Sequence, residues 1–357
     1  MDLLKVRLSE LEQFCESPLF QGFSVKPVSP LRVKSYLNNP RAHQEDVVLY
    51  LFVENSQVIA FRTILPDMLV FQGETIFFGW YSGTWVKPEN RGQKLSVRLL
   101  NEVRNDWGNR LLFTNYAQVS EHCYLETQAF HLLKERTGMR FYLYPDFNQI
   151  YKGRKSYHKL KFFLPFLSVA VRSVSLFKSL LFPTKTTPDS YLELPALDEE
   201  CRNHLRRFPV TFFNRKEAEI DWIIQYPWVT PAQDAGFVYP FSYSDVDFSL
   251  KIVKIYENNR FAGFFIYTNV NAKMKIIYHF IDDDKINLMV NIVGLLAKQQ
   301  HIEYLTVLDP ALAYLFKQNA NYFAFAKSYT SHVYSALPVA NDTNLLIFDG
   351  DGDNCFT

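Results

Sequence analysis

The sequence predicts a mixed α/β protein with two tandem domains, and three observations support this. The chain has 357 residues, whereas single hydrophobic cores stop growing at about 250–300 residues. Strand and helix patterns alternate in both halves. The order of these patterns after residue 188 repeats the order found before residue 147. We therefore expect one domain at 1–150, a helical basic connector at 151–188 and a second domain at 189–357.

The first half predicts strands, a helix and a further strand in a fixed order. Residues 47–53 and 58–65 form a predicted hairpin, and a third strand, 74–86, ends before Pro88. Helical spacing begins at Leu95, and the short apolar run 110–115 predicts another strand. The next predicted elements are a helix over 121–135 and a helix C-cap at Gly138.

The second half repeats this order. Its predicted elements are a hairpin of strands 248–256 and 260–268, a strand at 274–281, a helix at 284–300, a strand at 302–308, a short helix at 311–317 and a closing strand at 328–337. Three aspartates, 282–284, stand where the first half has Arg91-Gly92. Since aspartates repel phosphate and suit a helix N-terminus, the second half is predicted to be a degenerate copy.

The segment 86–96 predicts an anion-binding site in the first half. A strand ends, a polar turn with Arg91-Gly92 follows, and a helix begins at Leu95. Such a junction directs backbone N–H groups and the positive end of the helix dipole at one place, as a pyrophosphate requires. The alternative is an ordinary strand-turn-helix connection.

This segment resembles the acetyl-CoA loop of the GNAT N-acetyltransferase superfamily. The family pattern is Arg or Gln, two residues, Gly, one residue, then Gly or Ala; here Arg91 matches, and Lys94 and Ser96 replace the two small residues. Lys94 could crowd the backbone where glycine admits a phosphate, or its ammonium could bind the phosphate. The order of elements also fits the superfamily, over about residues 1–150.

The resemblance implies a mixed sheet, two acyl-CoA N-acyltransferase-like domains and acetyl-CoA as the acyl donor. The strand before the loop would hold the thioester, and Asn115 would contact the pantetheine arm. The implied cofactor-binding residues are Thr84, Trp85, Val86, Arg91, Gly92, Gln93, Lys94, Leu95, Ser96 and Asn115. No metal is expected, since the eight histidines lack metal-ligand spacing.

The catalytic acid is harder to place. The family often has a tyrosine on the last helix, about four residues before the Gly, and that position is Lys134 here. Candidates for an acid or base are Tyr81, Tyr124 and His131, with Glu74 as a further base. The alternative for the two tyrosines is a place in the aromatic core, and for the histidine a place on the surface.

We therefore expect an N-acyltransferase in which a primary amine of a small molecule or peptide attacks the acyl-CoA thioester directly. Two alternatives stay open. Paired-domain members of the superfamily include the peptidoglycan-bridge transferases, which use aminoacyl-tRNA. A degenerate pair could also bind a ligand or act as a scaffold without catalysis.

Composition narrows the partners and the compartment. The net charge of +1 gives no argument for nucleic acid, and four widely spaced cysteines suggest neither a disulfide framework nor a zinc site. A cytoplasmic location is the expectation. The acidic repeat 349–354 at the C-terminus is expected to be a flexible tail.

The connector is basic and apolar. Residues 147–188 contain no Asp or Glu, and 162–182 is almost wholly apolar apart from Arg172 and Lys178. Two charges make a membrane span unfavourable. One expectation is a helix whose apolar face packs on the two domains, and the alternative is peripheral contact of residues 152–185 with an anionic membrane.

Overall fold

The computed structural model describes residues 1–114, 118–151, 157–182, 190–229, 238–241, 247–339 and 345–356. The strands are β1 (Asp2–Arg7), β2 (Val47–Glu54), β3 (Gln57–Phe71), β4 (Glu74–Val86), β5 (Leu111–Thr114), β6 (His131–Tyr142), β7 (Tyr191–Leu194), β8 (Phe248–Glu257), β9 (Arg260–Val270), β10 (Lys273–Ile281), β11 (Tyr304–Val307) and β12 (Phe325–Ser335). The helices are α1 (Leu11–Glu16), α2 (Pro18–Gln21), α3 (Pro30–Leu37), α4 (Leu95–Asp106), α5 (Gln118–Leu125), α6 (Phe147–Tyr151), α7 (Tyr157–Leu160), α8 (Leu164–Leu181), α9 (Glu199–Arg207), α10 (Glu217–Gln225), α11 (Ile286–Gln299) and α12 (Pro310–Asn319).

Both predicted hairpins are confirmed. β2 pairs with β3 and β8 pairs with β9, each antiparallel. The turn residues Asn55-Ser56 and Asn258-Asn259 all have positive φ, between 49° and 61°. Two-residue hairpin turns that match the twist of the strands require this conformation, which asparagine tolerates well.

Within the described residues, the two halves share one mixed sheet of 12 strands, in the order β1-β2-β3-β4-β5-β12-β6-β11-β10-β9-β8-β7. The parallel pairs are β4 with β5 and β10 with β11, which occupy equivalent places in the two halves. This confirms the predicted mixed α/β class and the repeat of element order.

The last strand of each half pairs with a strand of the other half. β12, from the second half, pairs with β5 of the first half, while β6, from the first half, pairs with β11 of the second. β6 and β12 pair with each other over their full lengths. The predicted boundaries at residues 150 and 188 stay predictions, and the exchange means that neither half closes its sheet with its own last strand.

The helix predicted over 121–135 is partly wrong. α5 ends at Leu125, and residues 131–142 form β6. Gly138 is therefore not a helix cap. A Cβ at this position would lie 2.0 Å from the Val307 carbonyl oxygen, so glycine is needed where β6 and β11 approach closely.

A buried ionic network fastens the two halves together on one face of the sheet. Asp67 of β3 accepts hydrogen bonds from Arg41 Nη1 (2.8 Å) and from Arg215 Nη1 and Nη2 (2.9 and 2.6 Å). Trp80 Nε1 donates to the same carboxylate at 2.7 Å. Burial alone would raise the pKa of Asp67, but the two guanidiniums outweigh burial and hold that pKa below its usual value.

The C-terminal acidic repeat is folded into the core, so the expectation of a flexible tail is wrong. Asp351 is 1% exposed and lies 3.4 Å from Arg215 Nε. Leu308 N–H donates to Asp349 at 2.7 Å. Burial raises the pKa of Asp349 to about 7. Phe356 stacks on Trp228 with ring centroids 4.6 Å apart.

The connector is helical where it is described, in α7 and α8, but its apolar side does not pack on the two domains. The large apolar residues of α8 are exposed, and its buried positions are Leu164, Ser168 and Ser175. That packing expectation is wrong.

We expect Asp67→Asn to lower the free energy of unfolding by about 3–5 kcal/mol, because it removes the carboxylate that two buried guanidiniums share. Chemical denaturation of the whole chain measures this. Lys5→Ala, which removes an ion pair with Glu102 and Asp106 at a partly exposed place, is the control and should cost no more than about 1 kcal/mol. Equal losses in the two variants would contradict the role assigned to Asp67.

Candidate functional site

The site begins where β4 separates from β5. The two strands pair only at Gly79 with Leu111 and Trp80 with Leu112. Beyond this point, the two residues Ser82 and Gly83 lie opposite the single residue Thr63 of β3, which is a β-bulge. The bulge turns β4 away from its parallel neighbour and leaves an opening between them.

A cavity of about 750 Å³ extends from this opening to the start of α4. This volume is in the range of small-molecule and cofactor sites. Its lining residues are Thr84, Val86, Asn90, Arg91, Gly92, Lys94, Leu95, Ser96, Val97, Cys123, Glu126 and Thr127.

One end of the cavity is suited to an anion. Gly92 and Lys94 have positive φ values of 85° and 56°, which turn the chain sharply into α4. Lys94 is the N-cap residue, and no side chain caps the helix. The first N–H groups of α4 therefore remain available, together with the helix dipole and the exposed cations Arg91 and Lys94.

At the other end of the cavity, Tyr124 of α5 is buried behind the lining residue Thr84. The buried Arg62 of β3 donates a hydrogen bond from Nη2 to the Tyr124 hydroxyl oxygen, and its guanidinium lies 5.0 Å from the Tyr124 ring centroid. The Tyr124 O–H is directed at Thr84 Oγ1, 3.4 Å away. Because the Tyr124 oxygen accepts a hydrogen bond from Arg62, its own proton is directed at Thr84, which lines the cavity.

The structure brings most of the predicted cofactor-binding residues together. Seven line the cavity: Thr84, Val86, Arg91, Gly92, Lys94, Leu95 and Ser96. Trp85 instead stacks on Phe61 at 5.7 Å, in the core on the other face of the sheet. Gln93 is exposed and is not part of the lining. Asn115 falls outside the described residues.

The predicted catalytic residues lie in three different settings. Tyr124 is 4% exposed in the aromatic core, beside Tyr81 and Phe113, and contacts the cavity only through the lining residue Thr84. The Tyr81 hydroxyl is buried with no hydrogen-bond partner in the described part of the structure, and burial raises its pKa well above the usual value. His131 is on β6, not on a helix, and its Nε2 lies 3.0 Å from the Val339 carbonyl oxygen, away from the cavity lining.

Two further expectations about the acid or base change. Lys134 lies on β6. The position four residues before Gly138 is therefore on a strand and not on the helix that follows β5. That helix is α5, and it carries Tyr124. Glu74 is at the opposite end of β4 from Thr84, about 30 Å along the strand, and is too far away to act as a base at the cavity.

Sequence reasoning missed Arg62, Cys123 of α5 and Glu126 just after this helix. Arg62 had a detectable signal, because it is a lone cation within the apolar run 58–65. It is 1% exposed and lies 4.1 Å from the Tyr81 ring centroid. Buried arginines are uncommon unless they are paired. A lone arginine within an apolar strand therefore predicts a specific partner, which here is Tyr124.

The opposite face of β4 meets the C-terminal segment. Ser82 Oγ donates to Asp353 Oδ2 at 2.5 Å, and the buried Arg32 donates to Ser82 Oγ. Lys275 Nζ donates to the Asn354 carbonyl oxygen at 2.6 Å. Lys275 also lines a second cavity of about 360 Å³, together with Arg140 of β6 and with residues of β9–β11 in the second half. The bulge is therefore bordered by groups from both halves.

The sequence matches no protein-family model and no curated protein. Solved structures of similar shape include a GCN5-related N-acetyltransferase from Anabaena variabilis, at 11% identity and a TM-score of 0.49, covering 93% of this chain and 72% of that one. A probable N-acyltransferase from Enterococcus faecalis has 10% identity and a TM-score of 0.47, with the same coverages.

The Saccharomyces cerevisiae N-myristoyltransferase with bound myristoyl-CoA has 11% identity and a TM-score of 0.48, covering 96% of this chain and 86% of that one. At these identities and scores the likenesses carry no argument about function. The interpretation of the cavity therefore rests on its own residues.

We expect Lys94→Gly to be more stable than Lys94→Ala by about 1 kcal/mol, because only glycine adopts the left-handed conformation of this position without strain. Both variants remove the ammonium, so the difference isolates the backbone. Thermal or urea denaturation measures it. Equal stabilities would show that the left-handed turn at residue 94 is not held in solution.

Proposed function

We propose that this chain is an acyl-CoA-dependent N-acyltransferase, with acetyl-CoA as the donor to be tested first. The observation that carries the proposal is the cavity that joins the uncapped start of α4 to the opening between β4 and β5. One end is suited to a pyrophosphate, and at the other end the lining residue Thr84 is contacted by the buried Tyr124 hydroxyl. A donor with phosphate and thioester at its two ends matches this arrangement.

The residues fit coenzyme A at the phosphate end. The α4 N–H groups, Arg91 and Lys94 supply positive charge and donors at one place. The cavity is also lined by Thr84 and Val86 of β4, which has no partner in β5 beyond Trp80. Backbone groups of β4 there are free to bind the pantetheine and acyl parts. The donor supplies an activated acyl group as its thioester.

Tyr124 supports the transfer step. When an amine nitrogen bonds to the acyl carbon and the carbon–sulfur bond breaks, the amine loses a proton and the thiolate gains one. The Tyr124 O–H can give that proton through the hydroxyl of Thr84, and the guanidinium of Arg62 on its oxygen would stabilise the phenolate that remains. The proton released by the amine then restores the tyrosine O–H.

The acceptor is proposed to be a primary amine that approaches β4 from the face opposite the cavity. There the bulge at Ser82-Gly83 is bordered by Arg32 and by Asp353. The second half and the C-terminal segment would thus shape the acceptor site, as expected for a degenerate copy. Small-molecule and peptide amines are both compatible with this geometry.

Calorimetric titration with acetyl-CoA and free CoA tests the donor site. We expect Arg91→Ala to weaken binding about tenfold or more, since a charge-assisted hydrogen bond to phosphate contributes about 1.5–3 kcal/mol. Arg98→Ala is the matched control, because Arg98 is an exposed arginine of the same helix that lies over Phe52 outside the cavity. Its affinity should equal that of the unmodified chain.

No binding of either ligand would reject the CoA-dependent function. The aminoacyl-tRNA-dependent and non-catalytic alternatives would then remain. Equal weakening in Arg91→Ala and Arg98→Ala would indicate a general electrostatic attraction instead of a phosphate site at the start of α4.

Once a primary amine acceptor is found, we expect Tyr124→Phe to reduce kcat by about 100-fold or more with little change in donor affinity, since it removes the proposed acid. Release of free CoA thiol measures the rate. Tyr81→Phe distinguishes the two tyrosines, because the Tyr81 hydroxyl bonds no described group. A larger loss in Tyr81→Phe than in Tyr124→Phe would reverse the assignment.

A further inference from the structure

Helix α8 presents its apolar side to solvent. Phe166 is 77% exposed, Phe177 63% and Leu180 82%. The other large apolar residues exposed on α8 and at its ends are Phe162, Phe163, Leu167, Val169, Val174, Leu176, Leu181 and Phe182. An exposed apolar surface of this extent marks an interaction site in a folded protein.

The polar side of α8 faces the protein. Ser168 Oγ accepts from Phe147 N–H at 2.9 Å, and Ser175 Oγ donates to the Leu143 carbonyl oxygen. Arg172 Nε donates to the Pro145 carbonyl oxygen at 3.2 Å. Lys178 Nζ donates to the carbonyl oxygens of residues 323 and 324 at 3.0 and 3.1 Å. These bonds hold the helix against the body along most of its length.

Among the described residues, α8 is the helix that is long and apolar enough to cross a membrane, judged by length and composition alone. Its 18 residues have a mean hydropathy of 1.4 and a length of about 27 Å. Crossing a bilayer would break the bonds to Phe147, Leu143 and Pro145. A helix held flat, with one apolar side outward, is suited to lie within a membrane interface.

The positive charge of residues 147–188 favours an anionic surface as the partner of α8. Residues 147–188 contain eight Lys or Arg and no Asp or Glu. Lys159 and Lys161 are exposed just before the first outward aromatic residues. A second copy of this chain would bring like charges together, which is unfavourable, whereas an anionic lipid surface attracts them.

We propose that α8 anchors this protein to the surface of an anionic bilayer. The apolar residues from Phe162 to Phe182 enter the boundary between headgroups and acyl chains, and Lys159 and Lys161 contact the headgroups. The protein then works at a membrane with the helix parallel to the surface. This proposal does not rest on the acyltransferase function.

Co-sedimentation of the full chain with lipid vesicles tests the proposal. We expect binding to mixed phosphatidylcholine–phosphatidylserine vesicles and much weaker binding to phosphatidylcholine alone. The triple variant Phe166→Gln, Phe177→Gln, Leu180→Gln should lose at least about tenfold of the binding. Lys159→Gln with Lys161→Gln should weaken binding to the anionic vesicles by about fivefold per lysine.

The control is Val210→Gln with Tyr314→Gln, which replaces apolar residues that are 64% and 60% exposed outside α8. This control should bind vesicles like the unmodified chain. The α8 triple variant should keep its melting temperature and its affinity for CoA, so a failure of membrane binding is separate from a failure of the donor site.

Three results would overturn the proposal: no binding to anionic vesicles, equal binding by the α8 triple variant, or equal binding to neutral and anionic vesicles. A concentration-dependent dimer that only the α8 triple variant abolishes, without vesicle binding, would assign this surface to a second copy of the chain.

Discussion

The carboxylate of Asp67 is the group on which the arrangement of the two halves depends. It receives Arg41 and Trp80 from the first half and Arg215 from the second, and Arg215 extends the network to Asp351. Burying these charges is unfavourable unless every member keeps its partners. The network therefore fixes how the second half and the C-terminal segment lie on β3 and β4, and so it also sets the surroundings of the β4 bulge.

Most of the fold could be predicted from local sequence, because hairpins and strand-turn-helix junctions are formed by neighbouring residues. The predictions failed where the local structure depends on contacts with residues far away in the sequence. Arg136 and Gly138 of β6 are buried by partners in β11, β12 and residue 348, so a window around residue 130 contains no sign of the strand. The aspartates at 349 and 351 were expected in solvent because Arg136 and Arg215 are far away in the chain.

The candidate site likewise has one part that local sequence predicts and another part that it does not. The phosphate end could be predicted because residues 86–96 are contiguous, and seven predicted residues do line the cavity. The contact of Arg62 with Tyr124 joins β3 to α5 across 62 positions of sequence, which no spacing rule anticipates. The sequence left the orientation of α8 open between packing on the domains and contact with a membrane, because it does not show that serines and carbonyl groups hold the polar side inward.

The exchange of β6 and β12 has a consequence for biosynthesis. β5 has β4 on one side but lacks its second neighbour until β12 has been translated, about 210 residues later, or roughly 10 to 40 s at ribosomal speeds. Throughout that interval the nascent first half exposes an open sheet edge of apolar residues, Leu111 to Thr114, which can pair with other chains. Truncated products would keep this edge permanently. The protein is thus expected to depend on chaperones during synthesis more than a chain whose halves close by themselves.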